Sequence, residues 1–233
     1  MSDMQASRLG IGIIGSGRVG PVLGRALAGA GHAITGVSAI SDDGKERVEA
    51  MLPGVPILEV QEIVRRSELV LLAVPGDELP GLVSGLAKLG AWQPGQLVIH
   101  TAPEHGTAVL APAAGVIPIA LHPGIVFTGT SLDLARLNGA TVAVTAPAVV
   151  QPIGQALVVE MGAEPVIVAE ADRAAYAAAV KTASEAARDA VRDAIHTLDG
   201  LGISRANRII GGTVRASIEE ELGRHSTDPD LGA

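Results

Sequence analysis

With 233 residues, 48% of them apolar and 18% charged, the chain carries enough hydrophobic material for a large α/β unit plus a smaller appendage, and too little charge for a disordered polymer. A formal net charge of −8, no basic stripe and single copies of Trp, Phe and Tyr (Trp92, Phe127, Tyr176) leave nothing to neutralise a phosphate backbone or to stack on bases, which excludes nucleic acid as a partner. The lack of cysteine excludes a disulfide framework, a thiolate nucleophile and a Cys-ligated metal; the polar stretch Met1 to Arg8 lacks the order of a signal peptide, and no apolar run of about 18 residues could span a bilayer, so a cytoplasmic setting without membrane contact is expected.

From Leu9 onward short apolar runs alternate with helical patterns, the mark of βα units around a mostly parallel, doubly wound sheet. The runs predict strands near 9–15, 33–39, 55–58, 68–74, 96–101, 116–121, 141–145 and 164–168. Helices are expected to begin at Val19, Gly44, Val60, Glu78, Leu132 and Ala148, several entered through Asp, Ser or Pro and left through Gly. After Val168 the β pattern stops. Glu170 to Leu198 reads as one Ala-rich helix with an apolar stripe at Tyr176, Val180, Ala183, Ala187, Val191, Ile195 and Leu198, and Gly200-Leu201-Gly202 ends it. Ser204 can cap a further helix through Ile209, Ile210, Val214 and Ile218 to about Leu222. The expected organisation is a Rossmann dinucleotide-binding unit over 9–168, a small helical unit over 169–223 and a mobile polar tail over 224–233. Two helices cannot bury such a stripe alone, which predicts a homodimer through the C-terminal helices.

Gly15-Ser16-Gly17-Arg18-Val19-Gly20 follows the first apolar run and opens a helix, the context in which a GxGxxG pattern cradles a dinucleotide pyrophosphate. Gly15 permits the turn, Gly17 lets the backbone approach the phosphates, and Gly20 allows the helix to lie close to the strand. An NAD site commonly presents an acidic residue about 20 residues beyond such a loop, and none stands between Thr35 and Ser41. Ser38 and Ser41 offer hydroxyls there, with Arg18, Lys45 and Arg47 close enough to meet a 2′-phosphate, so NADP(H) is the expected cofactor; an inward-turned Asp42 would instead select NAD. Ligands of open parallel sheets sit beyond the carboxyl ends of the strands. That rule singles out Val74 and Pro75, His100 and Thr101, and His122, as the residues lining cofactor and small-molecule substrate, with His100 and His122 as candidates for chemistry. No His and carboxylate cluster has metal-ligand spacing, and no Ser-centred elbow points to hydrolysis.

The glycine loop, Leu71-Leu72-Ala73-Val74-Pro75-Gly76-Asp77, His122-Pro123 and Phe127-Thr128-Gly129-Thr130 together resemble a family of bacterial Rossmann-like oxidoreductases with a helical C-terminal domain of unknown function. That family is similar in layout to pyrroline-5-carboxylate, ketopantoate and β-hydroxyacid reductases. The resemblance implies an NADP-dependent reductase of a small carbonyl or imine substrate, with a helical domain that forms the dimer. It also implies a proton donor at Lys181, in the position of a KxxxN lysine, although Glu185 stands where the motif has Asn. A non-catalytic dinucleotide-binding protein acting through its dimer surface is the alternative.

Overall fold

The computed structural model describes residues 8–225. Seven strands form one sheet in the order β2-β1-β3-β4-β5-β6-β7: β1 (Gly10–Ile14), β2 (Ala33–Ser38), β3 (Leu69–Leu72), β4 (Leu97–His100), β5 (Ile117–Pro123), β6 (Thr141–Thr145) and β7 (Glu164–Ile167). β1 to β5 run parallel, β6 pairs antiparallel with β5, and β7 follows β6 in parallel. This is the mostly parallel doubly wound sheet the apolar runs predict, followed by a helical region.

Strand alternation sends the two sets of side chains into two cores. On one face Ile11, Ile13, Leu71, Ile99, Ile119, Leu121 and Val144 pack against helices α1 (Gly20–Gly29) and α6 (Gln151–Glu160). On the other, Ile14, Val70, Leu72 and Val98 pack against α3 (Val60–Arg66) and α4 (Leu79–Lys88). A Cβ on Gly12 would run into Ser67 and Ile63, so the lack of a side chain there lets α3 lie against β1.

An expected strand at 55–58 does not form. Val37 donates to the Pro56 carbonyl and accepts from Leu58, giving one isolated bridge at Ile57, because Pro56 has no N–H and α3 begins at Val60. Helix α2 (Asp42–Met51) starts before Gly44, capped by Ser41, whose Oγ accepts from the Gly44 N–H at 3.1 Å. Residues 147–150 turn before α6 begins at Gln151, and α5 covers Leu132–Leu137. The long helix α7 spans Arg173–Gly200, with Glu170–Asp172 forming a 3-10 turn ahead of it.

The chain divides into two compact units, one running through Ala177 and one from Ala178. The first turn of α7 therefore goes with the sheet. In the second unit the rest of α7 is followed by α8 (Ala206–Arg224), and Leu201 and Ile203 close the end of α7 by donating to the Thr197 and Leu198 carbonyls. Ser204 does not cap α8. Arg205 stands at that position in a left-handed conformation, φ 63°, with no side-chain cap. α8 also continues to Arg224, past the expected end at Leu222, and the remainder of the tail expected to be mobile, residues 226–233, lies outside the described residues.

Candidate functional site

Ile14 ends β1 against the core, and the chain turns at Gly15 with φ +114°, a conformation closed to most side chains. A Cβ at Gly15 would also strike the Ala73 carbonyl, and one at Gly20 would strike the carbonyl oxygen of Gly15. Both glycines are required by the protein's own packing. Gly17 differs: a Cβ there meets nothing within 4 Å, so the space above it is taken by none of the described residues. The loop is held from both sides. The Gly15 N–H donates to Ser38 Oγ at 3.0 Å, and Arg47 Nη1 donates to the Ser16 carbonyl at 2.7 Å. No side chain caps α1, which leaves its first turn open to an anion.

Two adjoining cavities flank this loop. The outer one, about 640 Å³, is lined by Gly15, Ser16, Gly17, Ser38, Ser41, Val74 and Pro75. The inner one, about 470 Å³, shares Gly17, Val74 and Pro75 and adds Arg18, Val19, Thr101, His122 and Phe127. The glycine loop, the end of β2, the Val74-Pro75 segment, Thr101 and His122 thus meet on one continuous cleft beyond the carboxyl ends of β1 to β5. An open Gly17 facing a cleft of this extent fits an extended dinucleotide, with the pyrophosphate at Gly17. Another hollow of about 660 Å³ lies between α3 and α4 and contains neither the loop nor His122. Asp42 does not turn inward: its side chain is 91% exposed and pairs with Lys45 at 3.0 Å.

His100 is not on the cleft. It is fully buried at the end of β4, and because the Gly106 carbonyl, 2.9 Å away, can only accept, Nε2 carries the ring proton. Nδ1 is left buried without a partner among the described residues. Burial pushes its pKa down to about 4, aided by the Arg173 charge and opposed by the Gly106 hydrogen bond. Lys181 stands in the second unit with its side chain 74% exposed, 3.9 Å from Glu185, as an ordinary i,i+4 surface pair.

His122, by contrast, lines the inner cavity and lies on a buried polar cluster. Its Nδ1 is 2.8 Å from Tyr176 Oη, and the rings meet edge to face with centroids 5.6 Å apart. Behind them Arg173, at the start of α7, is 1% exposed. Its Nε donates to Thr145 Oγ1 at 2.7 Å and its Nη2 to the Ala120 carbonyl at 2.8 Å; Nη1 has no partner among the described residues. Among the described residues no carboxylate pairs with this guanidinium. Glu170, the nearest acid acting on it, instead accepts from the Thr107 and Ala108 N–H groups, and these bonds outweigh burial to hold its carboxyl below the usual range. Burial pushes the His122 pKa down to about 4, with the Arg173 charge acting in the same direction. Sequence reasoning placed Tyr176 in an apolar stripe and did not single out Arg173 or Thr145.

Phe127-Thr128-Gly129-Thr130 is organised by the buried Asp133, which accepts from the Thr128 and Gly129 N–H groups, each at 2.7 Å, and from Thr128 Oγ1 at 2.9 Å. Burial alone would raise its pKa, yet these bonds hold the carboxyl below its usual range. Phe127 is thereby set against the cleft, and Gly129 against Arg18 and Arg47. Among the described residues no group of three His, Asp or Glu could hold a metal ion, and no helix is long and apolar enough to cross a membrane.

Residues 1–123 match the family model of the Rossmann-like domain, and residues 140–228 match that of a domain of unknown function, DUF2520. No curated protein matches the sequence. Among solved structures, the chain is similar to a 1-pyrroline-5-carboxylate reductase of Streptococcus pyogenes, with TM-score 0.69 and 18% identity over 96% of this chain and 83% of that one. It is similar to an imine reductase of a Pseudomonas species, with TM-score 0.71 and 14% identity over 93% and 76% of the two chains. A pyrroline carboxylate reductase of Plasmodium falciparum, solved with NADP bound, matches with TM-score 0.62 and 14% identity over 95% and 80%. These identities carry the fold and no more. Since the Rossmann-like model covers more than half of its length, the chain belongs to the Rossmann-like family, joined here to a DUF2520 region.

Proposed function

We propose that the protein is an NADP(H)-dependent reductase of a small carbonyl or imine substrate. The observation that carries this reading is the single cleft on which the open Gly17 and the side chain of His122 both stand. A reduced nicotinamide supplies a hydride to an electrophilic carbon. The chain's own residues divide the remaining tasks. Gly15 to Gly20 hold the pyrophosphate, Ser38, Ser41, Arg18, Lys45 and Arg47 surround the ribose end, and Val74, Pro75 and Thr101 form the wall along which the cofactor lies. His122 meets the substrate in the inner cavity, where Phe127 and Pro123 supply apolar wall. That similar folds include a reductase solved with NADP bound and an imine reductase supports the reading.

The experiment is calorimetric titration with NADPH, followed by the absorbance decay of NADPH with 2-oxo acids, ketopantoate among them, and with cyclic imines. Saturable binding with turnover of at least one class is expected. Failure to bind NADPH overturns the reading; binding without turnover of either class supports the non-catalytic alternative.

The second unit is proposed to close a homodimer. Val180, Leu201, Ile209, Ile218 and Leu222 are exposed on it, a density of apolar surface that two helices cannot cover by themselves. Light scattering should return twice the 23.5 kDa chain mass, and a stable monomer at micromolar concentration would overturn this part.

A further inference from the structure

Neutral imidazole carries one N–H, and which nitrogen bears it decides whether His122 can give a proton to the cleft or only accept one. His122 closes β5, on the same face of the sheet as His100, since Val98 and His100 alternate with Ile99 just as Ala120 and His122 alternate with Leu121. Its Nδ1 is engaged with Tyr176 Oη at 2.8 Å. Its Nε2 has no protein partner among the described residues and is not among their buried unpaired atoms, while the residue lines the inner cavity. The charged and titratable groups facing the ring are Arg173 and Tyr176 from α7 and Glu104 from the loop after β4. Of these, the Arg173 guanidinium is buried, has no carboxylate partner among the described residues, and lies 5.8 Å from the centroid of the Tyr176 ring.

Two arguments give the direction of the Tyr176–His122 bond. Phenol is the stronger acid of the pair and imidazole nitrogen the stronger base, so O–H donating to Nδ1 is favoured over Nδ1–H donating to the phenol oxygen. A buried cation beside the phenol pushes the same way, because it stabilises the negative character the oxygen gains as it donates. The same cation resists a second proton on the ring.

Resting on the reductase reading above, we propose that Tyr176, biased by the buried Arg173, holds His122 in its Nε2–H form, making His122 the catalytic proton donor of the cleft and Tyr176 the source that refills it. A hydride delivered to the substrate carbon by a bound reduced nicotinamide, whose C–H bond would break as the ring is oxidised, would push the C=O π pair onto oxygen. Oxygen takes the proton from Nε2, forming O–H and breaking N–H. Nδ1 takes the proton of Tyr176 as Nε2 gives up its own, leaving a neutral imidazole protonated at Nδ1 and a tyrosinate beside the Arg173 cation; solvent then protonates Nε2 while the Nδ1 proton returns to the phenolate oxygen, so the net proton is drawn from solvent. An imine nitrogen accepts the same proton in place of oxygen.

The test needs neither cofactor nor substrate. In uniformly 15N-labelled, ligand-free protein near neutral pH, two-bond proton–nitrogen correlations of the His122 ring should show a protonated Nε2 and a bare Nδ1. Tyr176→Phe, which removes one oxygen atom, should convert this to a mixture of tautomers. A wild-type ring protonated at Nδ1, a doubly protonated ring, or a tautomer unchanged in Tyr176→Phe would each overturn the proposal. NADPH titration, read separately, reports on the reductase assignment. With a carbonyl probe that turns over, Tyr176→Phe should lower kcat by about 10-fold or more while leaving the NADPH dissociation constant unchanged.

Discussion

At the glycine loop the cleft is walled by backbone, held by one hydrogen bond given to Ser38 and one received from Arg47 and shaped by three glycines. At its other end His122 stands on the cleft and is backed by side chains from separate segments, Thr145 and Arg173 with Tyr176, while His100 lies buried off the cleft at the end of β4. Backbone geometry does not titrate. The side-chain end is governed by burial and by one buried cation, Arg173, with no paired carboxylate among the described residues, so the two ends should fail in different ways: the first by sterics at single positions, the second by pH.

The largest effect is expected at Gly17. Gly17→Val should abolish NADPH binding in calorimetry while shifting Tm by no more than about 2 °C, because its Cβ has open space in the protein and obstructs only what binds there. Gly15→Ala makes the contrast sharper. Its positive φ and the Ala73 carbonyl make it a folding position, costing on the order of 1 to 3 kcal/mol of stability from the backbone alone. Retained binding in Gly17→Val would show that the loop is only a turn.

Acid should act on the other end. The folded pKa of His100, about 4, lies below the ordinary value of 6.5, so the unfolded chain binds the extra proton as pH falls between them. Stability from this group is complete above the ordinary value and is lost on the way down to about 4, a change on the order of 3 kcal/mol for a fully buried ring. His122 adds to the loss in the same window, whereas Asp133 and Glu170, with depressed carboxyl pKa values, lose their contributions only at lower pH. Urea melts across the window should show the decline. His100→Gln, which keeps a donor for the Gly106 carbonyl, should flatten much of it; an equal decline in that variant would place the titration elsewhere.

The two ends were also unequally legible. A contiguous GxGxxG after an apolar run exposes the loop because each glycine answers a local backbone need. The strands were legible for the same reason except at 55–58, where Pro56 interrupts pairing without breaking the apolar pattern. Ser38 and Ser41 read as hydroxyls for a ligand, yet both accept backbone N–H groups, one from Gly15 and one from Gly44. The charged cluster has no contiguous pattern. Arg173 and Tyr176 look like ordinary helix residues, and what receives the guanidinium is the Ala120 carbonyl of β5 and Thr145 Oγ1 of β6, two residues that stand opposite each other across the antiparallel pair. That juxtaposition becomes visible only when the strand pairing is known. Lys181 came from resemblance alone, and its exposed pair with Glu185 supplies no reason for it to donate a proton.

The smallest expected effect concerns which dinucleotide the backbone-built end prefers. No carboxylate stands at the end of β2 to hold a ribose 2′-hydroxyl, and Asp42 faces solvent paired with Lys45. Arg47 gives Nη1 to the Ser16 carbonyl, and its other donors have no partner among the described residues. Its chain lies beside Gly129 and Arg18, which places two guanidinium-bearing side chains next to the loop. A 2′-phosphate would find charge-assisted donors there that NADH cannot use, which predicts a preference for NADPH of about 1 to 3 kcal/mol. Arg47→Met keeps bulk beside Gly129 and removes the charge. Because it also frees the Ser16 carbonyl, both affinities should fall, and the informative quantity is their ratio, which should drop about 10-fold. Lys45→Ala should move the ratio less, about 2-fold, since Lys45 is half exposed and already answered by Asp42. Equal affinities in the unmodified protein, or a ratio unmoved by Arg47→Met, would remove the 2′-phosphate from this corner of the cleft and leave the glycine loop as a site for the pyrophosphate alone.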